Sequence, residues 1–339
     1  MIDRSGIDLR ARQRGAALLT AMIIVALVAT LAGSMVWQQW RAIQVEAAER
    51  ARTQSAWILS GALDWARLIL REDARDDAAH PPAKDHLGEP WAVPLAEARL
   101  STFLAADKDN TEDAPEAFLS GVITDAMARY NLTNLLSNTG GIDPLELAIL
   151  ERLCDTVGVS KDVASRIAVG LRDAAPPVPP AQGSSAPSYV APADPPLMPQ
   201  SASQLAWLGI DAESLRLLEP YIVLIPDTLR FPALVNVNTA PREVLVAVID
   251  KLDLATAERI VQSRQRAPLK NLSDLTALVP GVPPASLGKL AFTSNYFQVR
   301  GRLRLGDVVL EQRSLVKRNG PTVIVLQRER ISAREQAGS

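Results

Sequence analysis

Two histidines, one cysteine and one dense acidic run are the residues whose types could ligate a metal or carry a nucleophile. His80 and His86 flank prolines in the polar stretch HPPAKDH, with no cysteine near them. Zinc needs His, Cys or carboxylate ligands converging on one point, so a loop reading is favoured over a metal site. The run DKDNTEDAPE (107–116) opens D-x-D-N but lacks the central glycine and terminal glutamate of a calcium loop. A solvated loop is favoured there. Cys154 ends the apolar-periodic run LAILERLC and reads as core; alone, it can form no internal disulfide. No G-x-S-x-G occurs, neither histidine sits beside a nucleophile, and no motif singles out a carboxylate pair. An enzyme is disfavoured. With Lys+Arg at 36 against Asp+Glu at 38, no global attraction to nucleic acid follows either.

What remains is the N-terminus. Arg14-Gly15 turns abruptly into AALLTAMIIVALVATLAGSMVWQQW, and no charged residue occurs from Gly15 to Trp40. At about 1.5 Å per residue, such a helix exceeds the roughly 30 Å hydrocarbon core of a bilayer. A secretory signal peptide, a membrane anchor and a pilin-type leader can all begin this way. A cleavable secretory segment has about 7–15 apolar residues and then a small-residue cleavage site. This run is longer, and its end, LAGSMVWQQW, is a poor site. Trp37 and Trp40 fall where an aromatic belt would meet the far interface, and Arg4, Arg10, Arg12 and Arg14 outnumber Asp3 and Asp8 on the near side. The positive-inside rule then places the N-terminus in the cytoplasm and residues 41 onward across the membrane, as a single-pass anchor. Residues 41–73 hold no proline and carry Ile43, Ala47, Ala51, Ile58, Ala62, Trp65 and Ile69 on one stripe. They extend the membrane run into one helix from about 16 to 73.

The exported part mixes periods. Residues 74–116 read as loops with a short strand near Glu97–Phe103, and FLSGVITDAMARYNLTNL (118–135) as a strand, a turn and an asparagine corner. Two amphipathic helices lie within 144–172 around the turn VGVS, with Ser160 as an N-cap. The proline-rich stretch 173–199 cannot form a core and is a loop. Helical pattern resumes at SASQLAWLGIDAESLRLLEPYI. Residues 235–282 predict three helices: NTAPREVL with Thr239 as cap and Pro241 in the first turn, LDLATAERIVQSR, and NLSDLTALV with Ser273 as cap. Their arrangement resembles helix-hairpin-helix modules, which grip phosphate through a glycine-rich hairpin. The turn here, IDKLDL, has no glycine and sets Asp250 and Asp253 where a phosphate would approach, and residues 131–290 carry more acids than bases. Nucleic acid is disfavoured; a protein-facing or structural role is favoured. The chain ends in strands near 296–305, 307–317 and 322–330, with hairpin turns at Gly306-Asp307 and Asn319-Gly320. A three-stranded meander alone is marginal, so it is expected to pack on the long helix. The fold class is α+β: a pilin-like long N-terminal helix plus a C-terminal antiparallel sheet, with a large inserted helical domain containing helix-hairpin-helix-like parts.

The basic-glycine-apolar junction, the helix that runs from lipid into a head, and the ordered series LEPYIVLIP (218–226), VNVNTAPREVL (235–245) and SNYFQVRGRLRLGD (294–307) together resemble the K-type minor pseudopilins of type II secretion. That resemblance implies a leader of residues 1–15, cut between Gly15 and Ala16, followed by N-methylation of the new amino group on Ala16. Most pilin-like proteins carry glutamate as the fifth mature residue; Thr20 stands there instead, and lack of that glutamate is characteristic of the K type. The resemblance further implies a long helix over 16–75 (16–40 in the membrane), a pilin-like head begun by 76–130 and completed by the β-meander 291–339, and an inserted domain over 131–290. Its expected partners are the I- and J-type minor pseudopilins, the major pseudopilin, the prepilin peptidase and the inner-membrane assembly platform. The expected task is to start and cap the periplasmic pseudopilus from the inner membrane, with the head in the periplasm. Some members bind calcium near a W-x-D-x-D stretch; here GLRDAAPPV (170–178) keeps only Asp173, so no cofactor is expected. The alternative is a membrane-tethered helix-hairpin-helix DNA-uptake protein or a type IV pilus minor pilin, of which the DNA-uptake protein should show a basic face and a glycine hairpin.

Overall fold

The computed structural model describes residues 5–100, 117–176, 192–228, 232–305 and 308–334; the acidic run 107–116, residues 177–191 of the proline-rich loop and the Gly306-Asp307 turn lie outside them. The chain divides into two compact units, 1–58 and 59–339. Helix α1 (Ser5–Ala79) supplies the whole of the described first unit and the opening of the second. It stops where His80-Pro81-Pro82 follows, because proline offers no amide donor and restricts the residue before it.

In the second unit the sheet is five-stranded and antiparallel throughout. Its order is β1 (Leu95–Arg99), β2 (Ala117–Asp125), then the three strands of the C-terminal region, β7 (Tyr296–Leu305), β8 (Val308–Asn319) and β9 (Thr322–Arg334). Alternate residues of each strand turn to one face, and Ile123, Phe297, Val299, Val316 and Val323 meet Leu63, Ala66 and Leu70 of α1 there. The helical spacing of these three gives one apolar edge, and the sheet supplies the face to bury it. Trp91 closes the end of this core, its ring edge-on to Phe297 at 5.2 Å between centroids. Gly121 and Gly301 pair across β2 and β7. A Cβ on Gly301 would lie 3.3 Å from Leu59 Cδ2, so glycine lets the helix approach closely.

β2 and β7 are paired from Ala117↔Leu305 to Asp125↔Phe297, although residues 126–295 separate them. The helical domain is therefore an insertion that leaves the end of one strand and returns at the start of its neighbour. Two short parallel ladders lie within it: β3 (Tyr130–Asn131) with β4 (Ile222–Val223), and β5 (Val235–Asn236) with β6 (Leu290–Ala291). Among the described residues six α-helices make up most of it: α2 (Pro144–Thr156), α3 (Lys161–Ala174), α4 (Ala212–Leu218), α5 (Arg242–Val248), α6 (Leu254–Arg266) and α7 (Leu272–Leu278). Their apolar stripes, such as Val163, Ala164, Ile167, Ala168 and Leu171 on α3, form one core that includes the buried Cys154.

Ser160 caps α3 as expected, accepting from the Asp162 amide at 3.4 Å. Two other caps differ from expectation. Helix α5 begins after Pro241, and the Thr239 hydroxyl donates instead to the buried Asp125 carboxylate at 2.5 Å. A charged acceptor holds a hydroxyl more strongly than a helix terminus needs it. Helix α7 is capped by Asn271, whose side chain accepts from the Asp274 amide at 3.0 Å, while Ser273 already lies inside the first turn. β1 begins at Leu95, two residues before the expected Glu97, and positions 101–103 of that expectation fall outside the described residues. β9 runs to Arg334.

Candidate functional site

The apolar part of α1 is exposed on every side: Leu18, Ile23, Val25, Val28 and Val36 are each more than half exposed. A helix apolar all round must be buried in a larger structure or in lipid. It is the one helix among the described residues long and apolar enough to cross a membrane. Its threonine and serine hydroxyls are satisfied within the helix. Thr20 donates to the Ala17 carbonyl at 3.2 Å, Thr30 to Leu27 at 2.9 Å and Ser34 to Leu31 at 2.8 Å. In hydrocarbon each such bond removes a donor that would otherwise cost several kcal/mol. Gly15 and Ala16 lie within α1, immediately before this run. Arg41, the first charge after it, stands 5.7 Å from the Trp37 ring.

The second assembly of polar groups lies in the head, where the insertion joins the sheet. Asp125, at the end of β2, accepts from the Met127 amide at 2.7 Å, the Ser294 and Thr239 hydroxyls at 2.5 Å and the Asn236 amide at 3.0 Å. Asn236 also donates to the Asp85 carbonyl at 3.0 Å and the Ser294 hydroxyl at 2.9 Å. Arg318 of β8 donates through Nη2 to both Asp85 oxygens, at 2.6 and 2.7 Å, and to the Ser294 carbonyl at 2.9 Å. Its Nη1 reaches Asp73 near the end of α1, and the guanidinium lies 4.8 Å from the Phe297 ring centroid. Burial pushes Asp85 up to about 7 despite the attraction of Arg318, and raises Asp125 and Asp73 as well. Burial likewise raises Glu89 to about 7, although its carboxylate accepts from the Trp91 indole at 2.6 Å. Arg318 itself is held charged by Asp85 and Asp73 against the cost of its burial.

Two family profiles, both described as type II secretion system (T2SS), protein K, match residues 128–227 and 235–299. The type II secretion system protein K of Pectobacterium carotovorum subsp. carotovorum is 29% identical over 344 residues, covering 95% of this chain and 97% of that protein. That of Klebsiella pneumoniae is 29% identical over 338 residues (94% and 96%), and that of Pseudomonas aeruginosa 28% over 313 (88% and 87%). Over nearly all of its length the chain is similar to type II secretion system protein K. Its fold is also that of a chain in the crystal structure of the GspK-GspI-GspJ complex from enterotoxigenic Escherichia coli. The TM-score is 0.61 at 22% identity, covering 84% of this chain and 99% of that one.

The polar junction gives the residues of VNVNTAP their structural role. Asn236 and Thr239 bind the head's Asp125, and Asn238 grips the backbone of Leu269, donating to its carbonyl at 2.9 Å and accepting from its amide at 2.8 Å. The asparagine corner acts alike: Asn131 accepts from the Ile225 amide at 3.0 Å and donates to Thr228 at 2.7 Å, while Asn134 brackets Ala233. Sequence reading found these strings but not Asp85, Asp73 or Arg318, which belong to no motif and are far apart in the chain.

Asp173 accepts two hydrogen bonds from Arg172, at 2.9 and 2.8 Å. Asp73, Asp85 and Glu89 do bring ligand atoms within 4.8 Å of one another, but the Arg318 guanidinium serves two of these three carboxylates and stands where a cation would. His80 is exposed, with Nδ1 at 3.1 Å from the Asp76 carbonyl, and His86 lies 3.5 Å from Glu89. In the hairpin between α5 and α6, Asp253 caps α6 by accepting from Thr256, both amide and hydroxyl.

Proposed function

We propose that this K-family minor pseudopilin starts and caps the tip of a periplasmic pseudopilus, working as a mechanical part and not as an enzyme. The observation that carries the reading is Thr20, set in an all-round apolar helix and satisfied by its own turn. With a leader ending at Gly15, Ala16 becomes the first mature residue and Thr20 the fifth. A carboxylate at that depth is costly unless it meets a partner, which in a filament would be the amino group of a neighbouring subunit. Thr20 makes no such demand, so this subunit fits the one place in a filament that has no neighbour above it.

In this reading the prepilin peptidase cuts between Gly15 and Ala16 on the cytoplasmic side, Ala16 is N-methylated, and the head lies in the periplasm, as the basic N-terminus favours. The apolar helix holds the subunit in the inner membrane until assembly on the inner-membrane platform draws it out, exchanging lipid contacts for helix contacts of similar polarity. Its partners are the I- and J-type minor pseudopilins, with the major pseudopilin below. The fold likeness to a chain from a K–I–J complex supports the first two. No cofactor enters the task.

Co-expression of the full chain with the I- and J-type pseudopilins, detergent extraction and affinity recovery tests the assignment. Recovery of both with this chain is expected. Recovery of this chain alone, or in place of the major subunit along the filament shaft, would contradict it.

A further inference from the structure

A cavity of about 340 Å³ lies between the last turns of α1 and the inner face of the sheet. Leu63, Ala66 and Ile69 of α1 form one wall, Leu119 and Ile123 of β2 face them, and Trp91 lines it as well. Gly121 and Gly301, paired across β2 and β7, form its floor. Apart from its chain neighbours, a Cβ on Gly121 would meet only the Arg300 carbonyl within 4 Å, so this part of the sheet leaves the space unfilled. Protein interiors pack to the density of organic crystals, and a void of this size forgoes contacts along all its walls. Trp65 and Val93, both exposed, mark its mouth.

The chemistry of the walls selects the ligand. Arg300 is the one charged residue among the described residues that line the cavity, and its guanidinium is bound to Glu311 at 2.6 Å. Buried Gln312 donates to buried Ser314 at 3.5 Å and accepts from Arg330 at 3.4 Å. Among the described residues no buried side-chain nitrogen or oxygen is left without a partner. A polar ligand would lose its water here and find nothing to replace it. Small-ligand sites run to roughly 300–1,000 Å³, and an apolar cavity of roughly 150 Å³ already holds benzene. The wall from Leu59 to Ile69 is about 15 Å long at about 1.5 Å per residue. A volume of about 340 Å³ drawn out over that length suits a linear chain better than a fused ring system.

We propose that this cavity binds an acyl chain, lying along α1 against Gly121 and Gly301 with its polar end at the mouth beside Trp65 and Val93. Helix α1 is long and apolar enough to cross a membrane, so acyl chains are the apolar molecules such a protein meets, as free fatty acid or as phospholipid. The bound chain supplies the contacts that the two glycines leave out and so stabilises the head. A head that takes up no chain would leave the membrane and tip assignments standing.

The test uses the full chain in nanodiscs with Trp91 as its single tryptophan, through Trp37→Phe, Trp40→Phe, Trp57→Phe, Trp65→Phe and Trp207→Phe. Bromine quenches an indole only on contact. Dodecanoic acid brominated at its methyl end should remove most of the Trp91 emission, and the unbrominated acid should restore it. Ala62→Phe, which fills the cavity from the helix side, should leave the emission unquenched. Phosphatidylcholine brominated at the end of one chain, built into the disc, separates the two sources. Quenching by the phospholipid makes the bilayer the source, and quenching by the acid alone makes it free fatty acid. No quenching by either, or no recovery with the unbrominated acid, would overturn the proposal. So would undiminished quenching in Ala62→Phe while Trp91 still emits at the blue wavelength of a buried indole. Recovery with the unbrominated acid needs no substitution in the cavity, so it decides the matter even where Ala62→Phe disturbs the packing.

Discussion

One guanidinium organises the junction of the head. Arg318 joins β8 to Asp73 of α1, to Asp85 in the loop after it and to the Ser294 carbonyl at the end of the insertion. Removing one partner of a buried pair leaves the others unpaired in a low dielectric, so Arg318→Leu is expected to lose about 3–5 kcal/mol in denaturant unfolding. A loss under about 1 kcal/mol would show that the junction is not where the head is held together. The carboxylates around it set a pH dependence. The unfolded chain releases the protons of Asp85 and Glu89 near pH 4, whereas the folded chain keeps them until about 7. Protonation thus favours the folded state; the contribution is full below about pH 4 and is lost as pH rises through 7. Thermal melts should be higher at pH 5 than at pH 8, and Glu89→Gln should flatten that slope; an unchanged slope would place the titrating groups elsewhere. None of this was legible in the sequence. Asp85 lies between the two histidines that drew attention as metal ligands, and its partner is 233 residues away.

At the scale of elements, periodicity carried the reading. The stripe on α3 and the alternation in β7 state their partners' faces, since a helix edge or a strand face must be covered. Ends were harder, because several polar residues compete for each helix terminus. Asn271 wins over Ser273 at α7, so Asn271→Ala should cost about 1 kcal/mol and Ser273→Ala almost nothing. The reverse ranking in melts of the two variants would restore the serine cap. Thr239 was read as a cap because no local pattern reveals Asp125, 114 residues earlier, as its acceptor. The pairing of β2 with β7 was hidden for the same reason. Strand pairing across a long insertion leaves no spacing signal, though the polar string VNVNTAP marks one place where the insertion meets the head, through Asn236 and Thr239 on Asp125.

At the scale of the whole molecule, a helix long and apolar enough to cross a membrane and a head with an inserted domain belong to one chain that is similar to type II secretion system protein K. The head's polar junction joins the insertion to the sheet. The tip assignment depends on where the mature chain begins, because only a start at Ala16 makes Thr20 the fifth residue. Co-expression with a prepilin peptidase, recovery of the membrane fraction and intact-mass measurement reads that start directly. A mass corresponding to cleavage between Gly15 and Ala16 with one added methyl group is expected. An uncut chain beginning at Met1, or one cut beyond Trp37, would contradict the account and leave the apolar helix without a filament to enter.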